Sequence, residues 1–304
     1  MKRAIIAAGT LAFDTLETPS GKKERILGGS ANHFSIAASL FTRVEVSAII
    51  GADYPLDYLR TLNKREIGTS NVEVSSGETF YWCGKYTGTM NEAETLSTHL
   101  NVLVDYDPVM NDVAKKCEML FLANLMPTKQ LKVIEGAEGA KLIICDTMNF
   151  WIQNNLEELK KVIKKSDVFI LNEHEVRILT NELNIIRALK KLATMGPKTV
   201  VIKRGEYGAL LYREGERLFS IPAYPIDEVI DPTGAGDTFA GGFVGYLATC
   251  PDYNDFKEIK KAMLYGTVIA SFTIEGFGSE GIMDVTMDNI QKRYNELVSM
   301  IKID

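Results

Sequence analysis

The second half of the sequence alternates between short apolar runs and longer segments with helical spacing. The helical segments include Leu156–Lys165 and residues 184–195. The apolar runs have the length of β-strands and lie at residues 119–123, 141–145, 168–171 and 199–202. Similar runs at residues 4–8 and Val44–Ile50 extend the pattern to the N-terminal half. Such runs are typical of parallel strands covered on both faces, so the sequence predicts an α/β fold with helices on both sides of a mostly parallel sheet.

Residues 78–86 and 100–105 differ from these runs because they alternate more, and residues 78–86 also carry aromatic side chains. This pattern is typical of half-exposed antiparallel strands. The segment between them, residues 87–99, is polar, and residues 18–23 have the composition of an exposed loop or hairpin. The length of 304 residues and the 46% hydrophobic content fit one α/β domain over residues 1–304 with a small appendage.

The charge and the cysteines narrow the choice of partner and compartment. The net charge is −6 and no run of basic residues occurs, which argues against nucleic acid or an anionic membrane and favours small molecules. The four cysteines lie far apart without a C-x-x-C pair, so we expect reduced thiols in a cytoplasmic protein. Residues 4–13 superficially resemble a signal peptide, but Asp14 closes the run early, which favours a buried first strand. No apolar run reaches transmembrane length.

Residues 231–243 join a glycine-rich turn to a helix that is apolar on every side. Asp231-Pro232 favours a rigid turn, and Gly234 and Gly236 permit a close approach by a ligand. The N-terminus of such a helix binds anions through its free N–H groups and its dipole. Asp237 lies at this point, and a carboxylate beside an anion hole suits phosphoryl transfer, in which it takes a proton from an attacking hydroxyl. The alternative is that Asp237 only caps the helix.

Polar residues also follow several of the predicted strands. Asp14 comes after the first strand, and Gly28-Gly29 with Asn32 introduces a helix. Ligands of open parallel sheets bind beyond such strand ends, although a solvated turn for Asp14 and an ordinary helix entry for the two glycines are the alternatives.

Two further strand ends lie in the second half. Asn172 follows residues 168–171, and it forms a capping-box pattern with Glu175. Glu173-His174-Glu175 is disfavoured as a metal cluster, because three adjacent residues at a helix start cannot all face one ion. Lys203 and Arg204 precede Gly205 and Gly208 after residues 199–202, and they are either phosphate contacts or surface charges.

The stretch from Asp231 to Phe243, Asp-Pro-Thr-Gly-Ala-Gly-Asp-Thr-Phe-Ala-Gly-Gly-Phe, resembles the C-terminal signature of the ribokinase-like (PfkB) family of carbohydrate and nucleoside kinases. The resemblance extends over nearly the whole chain by motif order. It implies a ribokinase-like three-layer α/β/α sandwich with a small β-sheet lid formed by residues 10–27 and 78–104. It also implies a catalytic base at Asp237, an anion hole at Gly234, Ala235 and Gly236, and a monovalent-cation site, usually for K⁺, at Asp231 and Thr233.

The resemblance assigns further residues to the two substrates. Asp14 and Asn32, with Gly28 and Gly29 in the same motif, are expected to bind substrate hydroxyls. Asn172 and Glu175 match an Asn-x-x-Glu motif in which the glutamate orients water around the Mg²⁺ of Mg-ATP. The nucleotide is expected near Lys203, Gly205, Gly208, Thr267, Ser271 and Gly276. Lys203 and Arg204 depart from the threonine common before this glycine, so the family does not settle their role.

The sequence therefore predicts transfer of the γ-phosphoryl of Mg-ATP to a primary hydroxyl of a sugar. Neither a Walker A motif nor the protein-kinase His-Arg-Asp set occurs, so phosphate handling falls to residues 234–237. A ribonucleoside is the alternative acceptor, because the aromatic residues of the lid could cover its base. A sensor that binds a sugar or nucleotide without turnover is the alternative from a different class. By analogy with the family, a homodimer through the lid is also predicted.

Overall fold

The computed structural model describes residues 2–302, and this part of the chain contains thirteen β-strands and eleven α-helices. The strands are β1 (Ile5–Ala8), β2 (Ala12–Thr18), β3 (Gly21–Gly28), β4 (Val44–Ile50), β5 (Ile67–Val74), β6 (Tyr81–Tyr86), β7 (Ala93–His99), β8 (Met119–Leu122), β9 (Leu142–Asp146), β10 (Val168–Asn172), β11 (Thr199–Lys203), β12 (Ala209–Arg213) and β13 (Phe219–Ile221). The helices are α1 (Ser30–Ser39), α2 (Leu56–Lys64), α3 (Pro127–Gly136), α4 (Asn149–Asn154), α5 (Leu156–Lys165), α6 (Glu173–Thr180), α7 (Ile185–Ala193), α8 (Ala235–Thr249), α9 (Phe256–Thr273), α10 (Glu280–Met283) and α11 (Met287–Ile301).

Nine strands form the central sheet, in the order β13-β12-β11-β10-β9-β8-β1-β4-β5. From β11 to β5 in that order the neighbouring strands are parallel, whereas β12 and β13 add an antiparallel edge. The mostly parallel sheet is as predicted. Its parallel strands bring their carboxyl ends to one edge, which is where ligands bind in sheets of this kind.

Helices cover both faces of the central sheet, as strand β1 illustrates. Ile5 and Ala7 belong to one hydrophobic cluster, which also contains buried residues of α1, α8, α9 and α11. Ile6 and Ala8 belong to a second cluster with residues of α3, α5, α6 and α7. Because both faces of a strand are buried, its sequence is a continuous apolar run. The predicted three-layer α/β/α sandwich is confirmed.

The glycine-rich helix α8 packs against α1 and α9 on one side of the sheet. A Cβ atom built on Gly241 would lie 2.4 Å from the carbonyl oxygen of Phe34 in α1. The absence of a side chain therefore lets the two helix backbones approach closely. This packing explains why the helix is apolar on every side, as predicted. The N-terminus of α8 lies at the carboxyl edge of the sheet.

The second sheet has four strands in the order β3-β2-β6-β7. Strands β2 and β3 form the hairpin expected near residues 18–23, while β2 and β6 are parallel and β6 and β7 antiparallel. These strands overlap the segments predicted for the lid, although β3 ends at Gly28, one residue beyond the first segment. We refer to this sheet as the lid. The homodimer through the lid stays a prediction.

One predicted lid strand was wrong. Residues 100–105 contain a 3₁₀ helix at Asn101–Leu103, and the strand β7 lies instead in the segment that was expected to be a polar connection. Val102 and Leu103 are buried in a cluster with Ile49 of β4, Tyr106 and Leu125, which explains their apolar character without a strand. Strand β7 is mostly exposed, so its side chains carry little hydrophobic signal.

Strand β5 was not predicted. It lies at the edge of the central sheet beside β4 and is partly exposed, with the sequence Ile-Gly-Thr-Ser-Asn-Val-Glu-Val. No helix among residues 2–302 has both the length and the apolar character needed to cross a membrane.

Candidate active site

The candidate site lies where the carboxyl ends of β9, β10 and β11 meet the N-terminus of α8. Gly234 is the N-cap residue of α8, with a φ of 75° that favours glycine. The backbone N–H of Ala235 donates to the carbonyl of Pro232 at 3.2 Å, and that of Thr238 donates to the carbonyl of Gly234 at 2.8 Å. The N–H groups of Gly234, Gly236 and Asp237 have no hydrogen-bond partner within residues 2–302. These donors and the dipole of α8 make this end of the helix suitable for an anion.

Asp237 lies in the first turn of α8 and is partly buried. Its carboxylate accepts no hydrogen bond within the described part of the chain, so it is not a helix cap in this structure. Burial raises the pKa of Asp237 to about 8, and repulsion by Asp146, Asp14 and Glu175 adds to this, while Lys203 opposes it. A carboxylate with a raised pKa and no internal partner is suited to exchange a proton with a ligand.

Asp14 is buried on β2, opposite the end of β3. A Cβ atom built on Gly28 would lie only 1.9 Å from the Asp14 Oδ2, so the glycine makes room for the carboxylate. Burial raises the pKa of Asp14 to about 7, although a hydrogen bond from the backbone of Gly29 works in the opposite direction. Asp14 is thus a buried strand residue rather than a solvated turn residue.

Asn32 and His33 lie in the first turn of α1, which begins after Gly29. The Asn32 Oδ1 accepts a hydrogen bond from the Tyr58 hydroxyl at 2.9 Å, whereas its buried Nδ2 has no partner within residues 2–302. That amide group is therefore a donor available to a bound hydroxyl. His33 was not predicted as a site residue.

The His33 ring packs against the glycine loop, where a Cβ atom on Gly234 would lie 2.4 Å from the His33 Cγ. Burial lowers the pKa of His33 to about 4, so the ring is neutral at pH 7. A single histidine among small helical residues gives no sequence signal for this contact.

Asn172 and Glu175 form the predicted capping box at the start of α6. The Glu175 N–H donates to the Asn172 Oδ1 at 2.8 Å, and the Asn172 N–H donates to the Glu175 Oε2 at 2.7 Å. Glu175 is buried, and burial together with the nearby Asp146 raises its pKa. The backbone N–H of Asn172 fixes the Oε2 of Glu175, whereas the Oε1 accepts no hydrogen bond within residues 2–302.

Lys203 is not a surface charge. Its Nζ donates to the Asp146 Oδ2 at 2.6 Å, and the two side chains are 18% and 6% exposed. Asp146 is the last residue of β9 and was not predicted as a site residue. The available signal was its position, because it directly follows an apolar run, as Asn172 does.

A cavity of about 480 Å³ lies beside the N-terminus of α8. Its walls include Gly236 and five of the predicted nucleotide residues, which are Lys203, Gly205, Gly208, Thr267 and Ser271. The lid contributes Thr89, Met90 and Asn91. The Ser271 Oγ also accepts a hydrogen bond from Arg293 of α11 at 2.9 Å. Gly276 is not part of this wall and packs instead against Gly281.

Asp231 and Thr233 lie at the start of the glycine loop. Asp231 is fully buried, and its carboxylate accepts the N–H of Thr233 at 2.9 Å and the N–H of Gly278 at 2.8 Å. The Thr233 Oγ1 lies 3.3 Å from the hydroxyl of Tyr86 in the lid. Burial raises the pKa of Tyr86, so its hydroxyl stays protonated. The lid therefore contacts the glycine loop directly.

Comparison with known proteins agrees with this geometry. Residues 6–284 match the pfkB family carbohydrate kinases. The chain belongs to this family. The family membership and the enzyme class predicted from residues 231–243 are therefore confirmed.

Among the relatives of this kinase, a cytidine kinase of Thermococcus kodakarensis is 29% identical over 261 residues, which cover 80% of this chain and 88% of that one. A ribokinase of Bacillus subtilis is 24% identical over 323 residues, covering 92% of this chain and 96% of that one. An E. coli chain solved in complex with ATP and Mg²⁺ has the same fold, with a TM-score of 0.77 and 18% identity over 97% of this chain and 99% of that one.

Proposed function

We propose that this kinase transfers the γ-phosphoryl of Mg-ATP to a primary hydroxyl of a sugar. The observation that carries the proposal is the position of Asp237. Its carboxylate accepts no hydrogen bond within residues 2–302. It is close enough to Asp14 for the two carboxylates to repel each other, and it directly follows Gly236, which lines the cavity. A base in this position can reach a hydroxyl of the acceptor and a phosphate of the nucleotide.

We assign a separate role to the backbone N–H groups, to the acceptor-binding side chains and to Asp237. The N–H groups of Gly236 and Asp237, which have no partner among residues 2–302, offer hydrogen bonds to phosphate oxygens on which negative charge develops. Asp14 and the Asn32 Nδ2 hold the acceptor through its hydroxyl groups. Asp237 in its ionised form takes the proton of the attacking hydroxyl, which makes the oxygen a better nucleophile.

The contacts of the lid support the proposal that water is excluded from the site. Tyr86 reaches the glycine loop at Thr233, and Asn91 at the tip of the same hairpin donates to Glu206 beside the cavity at 3.1 Å. One hairpin thus covers the acceptor side and the nucleotide side. Keeping water from the site matters because water competes with the acceptor for the phosphoryl group.

Within residues 2–302 no three His, Cys, Asp or Glu side chains are grouped closely enough to hold a metal ion directly, so a divalent cation here would be held through water and the phosphates of the nucleotide. The carboxylates of Asp146, Glu175 and Asp237 act on one another, and Lys203 is the cation among them. We assign Mg²⁺ to the Glu175 side of this cluster, where the carboxylate would hold the ion through its water shell. When bound with ATP, the ion neutralises charge on the phosphate oxygens.

A monovalent cation, K⁺ in the family, is assigned to Asp231 and Thr233. Asp231 is fully buried, and the hydrogen bonds to it come from neutral backbone N–H groups rather than from a cationic side chain. A buried carboxylate without a cation is costly, so a bound K⁺ would compensate its charge.

The acceptor is either a sugar or a ribonucleoside. Asp14 and Asn32 can bind the hydroxyls of a ribose in both, and the relatives include a cytidine kinase and a ribokinase. We place the sugar first. The ribonucleoside is the second candidate, because Tyr81 and Trp82 lie partly exposed on the lid, where an aromatic side chain could cover a base.

The test is ADP release from Mg-ATP in potassium buffer, measured with a panel of pentoses, hexoses and nucleosides. We expect turnover with a sugar that has a free primary hydroxyl and none with its matched deoxy analogue that lacks only that hydroxyl. Turnover confined to nucleosides would replace the first candidate by the second. ATP binding without turnover of any acceptor would favour the sensor and contradict the proposal.

A further inference from the structure

The ion pair between Lys203 and Asp146 crosses the end of strand β10. Asp146 ends β9 and Lys203 ends β11, and both neighbour β10 in the central sheet. The Asp146 Oδ1 accepts the N–H of Thr147 at 2.8 Å, which orients the carboxylate, and its Oδ2 accepts the Lys203 ammonium at 2.6 Å. The ends of two strands, one on each side of β10, therefore fix the position of one cation.

That cation lies beside the anion hole. A Cβ atom built on Gly236 would be 2.9 Å from the Lys203 Nζ, so the ammonium is close to the backbone of the first turn of α8. Lys203 also lines the cavity that contains the predicted nucleotide residues. Its Nζ therefore lies at the boundary between the nucleotide cavity and the N-terminus of α8.

Stability is a poor explanation for this pair. Removing two charges from water costs more than a typical buried ion pair returns, so apolar residues of similar volume would stabilise the fold at least as well. An ammonium has three N–H donors, of which Asp146 takes one. The remaining donors are available to a ligand in the cavity.

We propose that Lys203 contacts the terminal phosphate of the bound nucleotide and that Asp146 is the positioning residue that holds it there. The role of the site rests on the proposed function, and it extends that function by adding a side-chain cation to the backbone anion hole. A terminal phosphate carries the charge and the oxygens that suit an ammonium beside a helix N-terminus.

The experiment measures the affinities of ATP and ADP for the full-length protein by titration calorimetry, and the readout is their ratio. Lys203→Met should weaken ATP by roughly tenfold to a hundredfold more than it weakens ADP, because a charge-assisted hydrogen bond to the third phosphate is lost. The matched control is Arg204→Met, which removes an equal charge one residue away. Arg204 bonds to Glu173 at 2.6 Å, so this variant should leave the ratio unchanged.

Asp146→Asn tests the positioning role. The ammonium remains in this variant but loses its charged partner, so the preference for ATP over ADP should shrink by a smaller factor. The double variant Asp146→Asn/Lys203→Met should have the same ratio as Lys203→Met alone, because Asp146 acts through Lys203. The double variant also removes both buried charges, so it provides the comparison if the single lysine variant folds poorly.

Two results would overturn the inference. One is an equal loss of ATP and ADP affinity in Lys203→Met. The other is an Asp146→Asn effect that vanishes when the titrations are repeated with EDTA in place of Mg²⁺, since Asp146 would then act on the metal. These readouts need no turnover. A protein that fails to phosphorylate any acceptor but shows the predicted ratios would therefore lose the proposed function and keep this inference.

Discussion

One aspartate lies on each side of the glycine turn at the start of α8, Asp231 before it and Asp237 in the first turn of the helix, and the two differ in what surrounds them. Before the turn, the carboxylate of Asp231 accepts backbone N–H groups of Thr233 and Gly278. After the turn, Asp237 accepts no hydrogen bond within residues 2–302, and the carboxylates of Asp146, Asp14 and Glu175 repel it. Burial is the largest cause of a raised pKa at both, but only at Asp231 do hydrogen bonds from the protein oppose it.

This difference shows how one residue type serves two purposes within seven positions. A buried carboxylate whose oxygens are bonded to the backbone ties two segments together, here the glycine loop and the turn before α10. A carboxylate without such bonds adds little to the fold and is free to act on a ligand. We therefore expect Asp231 to matter for stability and Asp237 for turnover.

The largest effect is expected from Asp237→Asn. The variant keeps the size of the side chain but cannot take a proton, so turnover should fall by roughly 10²–10⁴-fold. Its melting temperature should be unchanged or higher, because a poorly solvated carboxylate is removed. Steady-state kinetics and thermal unfolding measure the two quantities. Turnover equal to that of the parent would show that Asp237 is not the base.

A substitution before the turn, Asp231→Asn, should mainly reduce stability. The amide of asparagine would direct N–H groups at one of the two backbone donors, and an unsatisfied buried group costs about 1–3 kcal/mol. The free energy of unfolding in urea measures this loss. Asp227→Asn is the control, because Asp227 is exposed on the same connection. If both variants unfolded alike, Asp231 would not be an anchor.

A smaller effect is expected when K⁺ is exchanged for Na⁺ at constant ionic strength. If the site at Asp231 and Thr233 holds K⁺, activity should fall by several-fold, on the order of a 1 kcal/mol change in the barrier. The exchange should have no effect in a variant whose Asp231 has been replaced. If the exchange left the activity of the parent protein unchanged, Asp231 and Thr233 would not form a K⁺ site.

The sequence predicted the buried parts of the fold better than the exposed ones. Val44–Ile50 and Leu156–Lys165 have the bounds that were predicted, because a strand covered on both faces and an amphipathic helix leave clear patterns. Strands β5 and β7 are edge strands and partly or mostly exposed, so the selection for apolar residues is weak there. The pattern of residues 100–105 reflects burial of Val102 and Leu103 beside Ile49 of β4 rather than strand formation.

The residues of the candidate site could be predicted only where a motif marks them. Asp14, Asn32, Glu175 and Asp237 lie in recognisable motifs, and the structure brings them to one edge of the sheet. The pairing of Asp146 with Lys203 depends on β9 and β11 being neighbours of β10. That strand order is a property of the whole fold, and no local pattern contains it.

The central claim is that Asp237 removes the proton of the acceptor, and the most direct test is the pH dependence of kcat/KM. This parameter reports the ionisation of the free enzyme, and a general base works only when it is ionised. If Asp237 is the base, kcat/KM should rise with pH and level off above the pKa of Asp237, which is about 8. The residual activity of Asp237→Asn should lack this rise. The same rise in parent and variant would contradict the claim, because the titrating group would then be another residue.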